Sequence, residues 1–292
     1  MNFFRTLRSK IVYRSKFRKD KTECTAGKNA VHMLKSVTNN ICDSFIITTD
    51  DGKVIVVDGG FVTETGYFIR CLKQIAGSET PHIDAWFLTH PHNDHCEVFL
   101  NIAKRHNRKV AFDKVYLNFP DADYYDGIDR WASRVLKRYY SLLPSFAEKV
   151  HVVNTGNEID VGSAHITVLY SIDKSFSECN EGSLIFRMDL GNKSILFTGD
   201  AGVKAGNKVL SDPGYLKLLK CDICKMSHHG QSGCDKAFYE AVSPEICLWP
   251  TPYWLWNNKK GLFKTDEVKN WMKEIGVKEN YISKDGTCTI ML

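Results

Sequence analysis

Asp84-Ala85-Trp86-Phe87-Leu88-Thr89-His90-Pro91-His92-Asn93-Asp94-His95 joins a continuous apolar run to four ligand-type side chains. Residues Asp84–Leu88 lack the alternation of a half-exposed strand, so they read as a strand buried on both faces. Alternate side chains of an extended loop project the same way, so His90 and His92 can chelate one cation. Asp94 and His95, leading into a helix over Cys96–Arg105, face a second position. Zinc-like ions accept imidazole nitrogen and carboxylate oxygen, and an open coordination position can hold a hydroxide. Four such groups within six residues, directly after a buried strand, are poorly explained as solvated surface.

The same grammar extends outward. Ser44–Thr49 (SFIITT) and Lys53–Val57 (KVIVV) flank Asp50-Asp51-Gly52, and Ser183–Asp189 and Ser194–Thr198 flank Gly191-Asn192, two hairpin signals. Val115–Phe119, His165–Tyr170, Cys221–Ser227 and Glu245–Trp249 read as strands, and two short strands close the chain around Asp285-Gly286. Gly66–Ala76, Ile128–Leu143 and Thr265–Ile275 carry helical spacing. Strands in two sets separated by helices, with no fixed-period repeat and no linker composition, give one α/β domain with two sheets over residues 26–292. Two further strand ends carry ligand types, Asp200 after Ile195–Gly199 and His228-His229 after Ile223–Ser227. If these ends converge on the first, Asp200 bridges two metals and one of the paired histidines completes the second site.

Composition excludes disorder, collagen and coiled coil: the 292 residues are 43% hydrophobic and 25% charged. The net charge of +5 is concentrated in an arm over residues 1–25, where eight Lys or Arg precede Thr22 against Asp20 alone. The remainder holds 31 basic against 33 acidic residues, so whole-chain basicity does not argue for a nucleic-acid-coating surface. The arm has no apolar core of secretory-signal length, and no run suits a membrane span. It reads as a solvated terminus, with nucleic acid or anionic membrane as the candidate contact. The ten cysteines fit reduced, mostly buried thiols, implying a cytoplasmic location.

Val54–Gly60 (VIVVDGG), Thr89–His95 (THPHNDH), Phe197–Asp200 (FTGD) and Ser227–Gly230 (SHHG), in this order, resemble the motifs of metallo-β-lactamase-fold hydrolases. The chain is most similar to the branch found as the soluble hydrolase domain of bacterial DNA-uptake competence channel proteins. Cys42-Asp43-Ser44, Gly182-Ser183-Leu184 and Gly276–Ile290 add to that likeness. The resemblance implies a four-layer αββα sandwich, two mixed sheets flanked by helices, with a binuclear site at one edge. It implies two divalent metal ions, zinc by expectation with manganese as the alternative. His90 and His92 would hold the first, Asp94 and His95 the second, and Asp200 both. A ligand histidine often immediately precedes glycine, which selects His229 and leaves His228 as a catalytic group; the reverse assignment stays open. Asp58 corresponds to an aspartate that orients the metal loop without ligating.

The sequence departs from the family twice. Many members carry another histidine before the bridging aspartate; here Ser177–Ser183 has none, and Asn180 stands in its place, with Cys179 or Glu181 as other replacements. His106, His151 and His165 read as helix-surface, loop and strand residues. Trp249–Phe263 lacks a His-Pro often found near Asn257, and Trp249, Tyr253, Trp254 and Trp256 read as core cover or as a substrate-facing wall. The implied activity is hydrolysis by metal-activated hydroxide, with Asp94 handling a proton, on a phosphodiester of small-molecule or nucleic-acid type. A carbonyl hydrolase of lactonase or thioesterase type and a non-catalytic metal-binding relative are the alternatives. Lys204, Lys208, Lys217, Lys220, Lys225, Lys259 and Lys260 are the available material for a basic groove.

Overall fold

A computed structural model describes residues 22–292 except Arg108; most of the basic arm and the His106 side chain lie outside the described residues. The strands are β1 Ala30–Met33, β2 Ser44–Thr48, β3 Val54–Asp58, β4 His82–Phe87, β5 Ala111–Leu117, β6 Val150–Val152, β7 Glu158–Val161, β8 Ala164–Tyr170, β9 Ile185–Leu190, β10 Lys193–Phe197, β11 Ile223–Lys225, β12 Ile246–Trp249, β13 Glu279–Ile282 and β14 Cys288–Met291. The helices are α1 Thr65–Ala76, α2 Asn93–Asn101, α3 Arg130–Leu142, α4 Val203–Ser211, α5 Pro213–Leu219, α6 Lys236–Val242, α7 Tyr253–Asn257 and α8 Thr265–Ile275.

One sheet has the order β14-β1-β2-β3-β4-β5-β6 and the other β13-β12-β11-β10-β9-β8-β7. Each is half antiparallel and half parallel, changing at β3 in the first and at β10 in the second. Open sheets with parallel strands bind ligands beyond the strands' carboxyl ends. Here β3 and β4 of one sheet and β10 and β11 of the other supply the candidate site residues.

The period of two along β4 explains its continuous apolar run. Ala85 and Phe87 enter the core between the sheets, where Phe87 stacks on Phe186 at 5.0 Å, while Trp86 faces outward and stacks on Phe68 of α1 at 5.5 Å. Beyond the second sheet, Leu196, Cys224 and Cys247 pack against Val209 of α4, Phe238 of α6 and Met272 of α8. Three apolar clusters thus separate four layers in the order helices, sheet, sheet, helices.

Several elements depart from the expectation. The run Cys221–Ser227 is a strand only over Ile223–Lys225, because the chain turns sharply at Ser227–Gly230. The closing strands β13 and β14 join opposite sheets, pairing with β12 and β1. Thr25, counted with the arm, is buried and its Oγ1 lies 2.8 Å from His32 Nε2. His151 is part of β6 rather than a loop. None of the ten cysteines is joined in a disulfide. No helix among the described residues is long and apolar enough to cross a membrane.

Candidate metal centre

His90, His92, Asp94 and His95 follow β4, with Asp94 and His95 in the first turn of α2. Asp200 follows β10 through a turn that requires Gly199: its φ is +49°, and a Cβ there would lie 2.9 Å from the Cβ atoms of Ser183 and Thr89. His228 and His229 follow β11. The fold therefore brings the three strand ends together, as the sequence led us to expect.

His90, His92, His95 and His229 each commit one ring nitrogen to a protein partner and turn the other inward. His95 Nδ1 lies 2.8 Å from Asp58 Oδ2, whose carboxylate also accepts from the Thr89 backbone and hydroxyl. His92 Nε2 lies 2.9 Å from Asp129 Oδ2, His90 Nδ1 3.2 Å from Thr89 Oγ1, and His229 Nδ1 3.2 Å from the Pro250 carbonyl. The inward nitrogens form two groups. His90 Nε2 and His92 Nδ1 are 3.0 Å apart, with Asp200 Oδ2 3.9 Å from His90. Nε2 of His95 and Nε2 of His229 each lie 3.3 Å from Asp200 Oδ2, and Asp94 Oδ2 is 3.1 Å from His229. Asp200 Oδ2 thus stands between both groups. Outward anchoring of this kind fixes tautomer and ring orientation in metal sites.

Two orphaned atoms belong to residues of this region. Nε2 of His95 and Oδ1 of Asn180 are buried without a hydrogen-bond partner, an expensive state for a polar atom unless something else satisfies it. The charge balance agrees. Asp43, Asp58, Asp94 and Asp200 are buried together, and Lys225 is the only lysine or arginine ion-paired with any of them among the described residues. Burial opposes charge on His90 and holds it well below the ordinary imidazole value, and burial pushes His228 down to about 4. Burial opposes charge on His95 as well, but Asp200, Asp58 and Asp94 outweigh it and raise its pKa. The surplus of buried carboxylate over fixed cation and the inward nitrogen and oxygen donors fit two divalent cations.

The family model described as the Metallo-beta-lactamase superfamily matches residues 37–233. The chain belongs to this superfamily. By class it is a metal-dependent hydrolase. It is 25% identical over 219 residues to a UPF0173 metal-dependent hydrolase of Nanoarchaeum equitans, covering 70% of this chain and 85% of the relative. Among solved structures it is similar to the metallo-beta-lactamase fold protein YhfI of Bacillus subtilis, with a TM-score of 0.53 at 13% identity over 89% of this chain and 99% of the other. The Zn(2+)-bound PqqB of Methylobacterium extorquens gives 0.51 at 11% identity, over 90% and 100%. The diiron β-hydroxylase CmlA of Streptomyces venezuelae gives 0.55 at 12% identity over 91% of this chain, which spans only 54% of CmlA. At these identities the structures bear on the fold alone.

Within this metallo-beta-lactamase fold the paired histidines do not continue the strand before them: both are left-handed, with φ of +47° and +54°. Such strained positions persist where surrounding bonds over-determine them; here Ser227 Oγ donates to the Ala201 carbonyl and Thr251 Oγ1 to the His229 carbonyl, each at 2.6 Å. The turn buries His229 completely, whereas the His228 side chain stays 24% exposed, with Nδ1 3.0 Å from Ser232 Oγ and Nε2 3.4 Å from Asn180 Nδ2.

The replacements for the missing histidine also separate. Glu181 accepts from the backbone of Lys204 and Ala205, capping the start of α4. Cys179 is buried beside His92 and Tyr125. Asn180 alone of the three has a buried oxygen without a partner, and its amide lies 3.4 Å from His228 Nε2. His165 is half exposed against Asp160. The aromatic segment divides: Trp249 is core and Trp256 packs on it, while Tyr253 and Trp254 are exposed.

Three residues escaped the sequence reading. Lys225, counted with the surface lysines, is buried to 2% exposure; Nζ pairs with Asp43 and lies 2.5 Å from the Gly199 carbonyl and 3.4 Å from Asp200 Oδ1. A lysine inside an apolar strand is itself an inconsistency that signals a buried partner. Asp43 lies close to His95, Asp200 and His229 but is paired with that lysine, whereas Asp94, 3.1 Å from His229 Nε2, has no lysine partner among the described residues. Asp129 caps α3 through the Trp131 and Ala132 amides while holding His92. Lys204 and Lys208 are neutralised by Glu178 and Asp173, so the expected basic groove loses three of its lysines.

Proposed function

We propose that this metal-dependent hydrolase cleaves phosphodiesters. His90 and His92, with Asn180 alongside, hold one divalent cation; Asp94, His95 and His229 hold a second; Asp200 serves both. Zinc is the expected metal and manganese the alternative, since the first position is poorer in imidazole than in many relatives. Such a pair, when bound, supplies Lewis acidity and water activated near neutral pH.

The protein groups do the rest. Asp94 receives a proton from the attacking water as its oxygen adds to phosphorus and returns it to the leaving oxygen as the ester P–O bond breaks, so an alcohol and a phosphomonoester leave. His228 and Asn180 face the phosphoryl oxygens, where negative charge grows. The observation that carries the phosphodiester over an acyl substrate is the polar mouth formed by His228, Asn180 and Ser232. Its polar side chains suit phosphate oxygens better than an acyl chain. The likeness to the competence-channel branch supports the same reading. The proposal includes a cytoplasmic location, supported by ten cysteines outside any disulfide, and contact of the arm with nucleic acid or anionic membrane.

The test is hydrolysis by zinc- or manganese-loaded protein of bis-p-nitrophenyl phosphate, a lactone and a thioester. Turnover of the first alone is expected. Turnover of a carbonyl substrate alone would select the acyl alternative, and no turnover with metal retained would select the non-catalytic one.

The two histidines give a sharper expectation. His229→Ala should lose metal and activity together, since Nε2 of His229 meets both Asp94 and Asp200. His228→Ala should keep its metal and lose rate, as removal of a group acting only on developing charge lowers turnover rather than occupancy. Metal stoichiometry of the purified variants decides, and metal loss confined to His228→Ala would reverse the assignment.

A further inference from the structure

We propose that Arg130, Trp131 and Arg134, on the first turns of α3, form a platform that docks a single-stranded nucleic acid beside the metal centre. The inference rests on the phosphodiester reading and names the substrate class for it.

Helix α3 buries Ala132, Val135, Leu136 and Tyr139, which turns the opposite face to solvent. On that face Trp131 is 45% exposed, with Arg130 Cζ 4.6 Å and Arg134 Cζ 5.2 Å over its ring centroid. Neither guanidinium has a carboxylate partner among the described residues, whereas Lys137, one turn on, pairs with Asp126. Two guanidinium groups without carboxylate partners, stacked over a part-exposed indole, offer flat surfaces for a base and charge for a phosphate. Bases stack on indole and on guanidinium planes alike, and the charges remain available to the backbone.

The platform is tied to the metal site by one side chain. Asp129 Oδ1 accepts from the Trp131 and Ala132 amides at 2.9 and 3.1 Å, while Oδ2 lies 2.9 Å from His92 Nε2. Arg130 and Trp131 are thus the next two residues after the carboxylate that orients a proposed ligand. The stacking surface therefore begins two residues along the chain from the side chain that holds His92. A lipid surface fits less well, because the guanidinium groups frame the indole and leave Ile128 as the exposed apolar neighbour on this turn.

The test is fluorescence anisotropy of metal-loaded, full-length protein with fluorescein-labelled, phosphorothioate-linked oligothymidylate, linked this way to slow cleavage. Trp131→Ala should weaken binding about tenfold or more, with Trp131→Phe restoring most of it. The double variant Arg130→Ala/Arg134→Ala should reduce the slope of log affinity against log salt by about 1.4. Melting temperature and metal stoichiometry should match the parent, which sets folding aside. Binding unchanged in both alanine variants overturns the proposal. So does oligothymidylate binding that persists in Trp131→Ala while binding to phosphatidylglycerol vesicles is lost. The binding readout needs no turnover: a parent that binds the oligomer but leaves bis-p-nitrophenyl phosphate intact contradicts the phosphodiester reading and upholds the platform.

Discussion

Asp200→Ala is expected to lose bound metal and to fall in hydrolysis by more than the 10- to 100-fold typical of losing a ligand's outer partner. The reason is position. Asp200 Oδ2 lies 3.3 Å from both His95 and His229 and 3.9 Å from His90, so one carboxylate faces both ligand groups. Its removal leaves two half-sites, each short of a charged donor, and leaves the inward imidazoles against one another. His90→Ala should act in the same direction through the first group alone. Elemental analysis of dialysed protein with parallel rate measurement checks both, and unchanged metal content in the two variants would remove the binuclear account.

Lys225→Met should destabilise the metal-loaded protein by about 3–5 kcal/mol, the usual cost of stripping one partner from a buried ion pair. For a chain of this size that is a fall in melting temperature of roughly 6–20 °C. Lys225 stands on β11 under the site and holds Asp43, Asp200 and the Gly199 carbonyl. Burial already holds the Asp43 carboxyl above its ordinary value, and Lys225→Met strips it of the cation that opposes that shift. The double variant Asp43→Asn/Lys225→Met should recover much of the loss, because it removes both charges. A melting temperature within a few degrees of the parent for Lys225→Met would mean that the ion triad contributes little.

The parts of the site legible in the sequence were those encoded by contiguous residues. His90, His92, Asp94 and His95 announce themselves because a buried strand delivers them in one short loop, and Asp200 and the paired histidines repeat that arrangement. The two-sheet core was legible for the same reason, since strands buried on both faces, such as β4, leave unbroken apolar runs. Short edge strands such as β6 and β7 left no such signal. Asp43, Asp129 and Lys225 act through partners far along the chain, and nothing in their neighbours' composition reports a tertiary pairing. The choice between His228 and His229 depended on a left-handed turn that strand alternation cannot express.

The central claim is that these strand ends hold two cations. An anomalous difference map from crystals of the protein grown with zinc, or with manganese and measured at its edge, tests it most directly. The account predicts two peaks about 3.5–4 Å apart, one against His90 and His92, the other against Asp94, His95 and His229, with Asp200 between them. No peak at the strand ends, or a single ion held at the surface group of His82, Asp84 and Asp113, would contradict it.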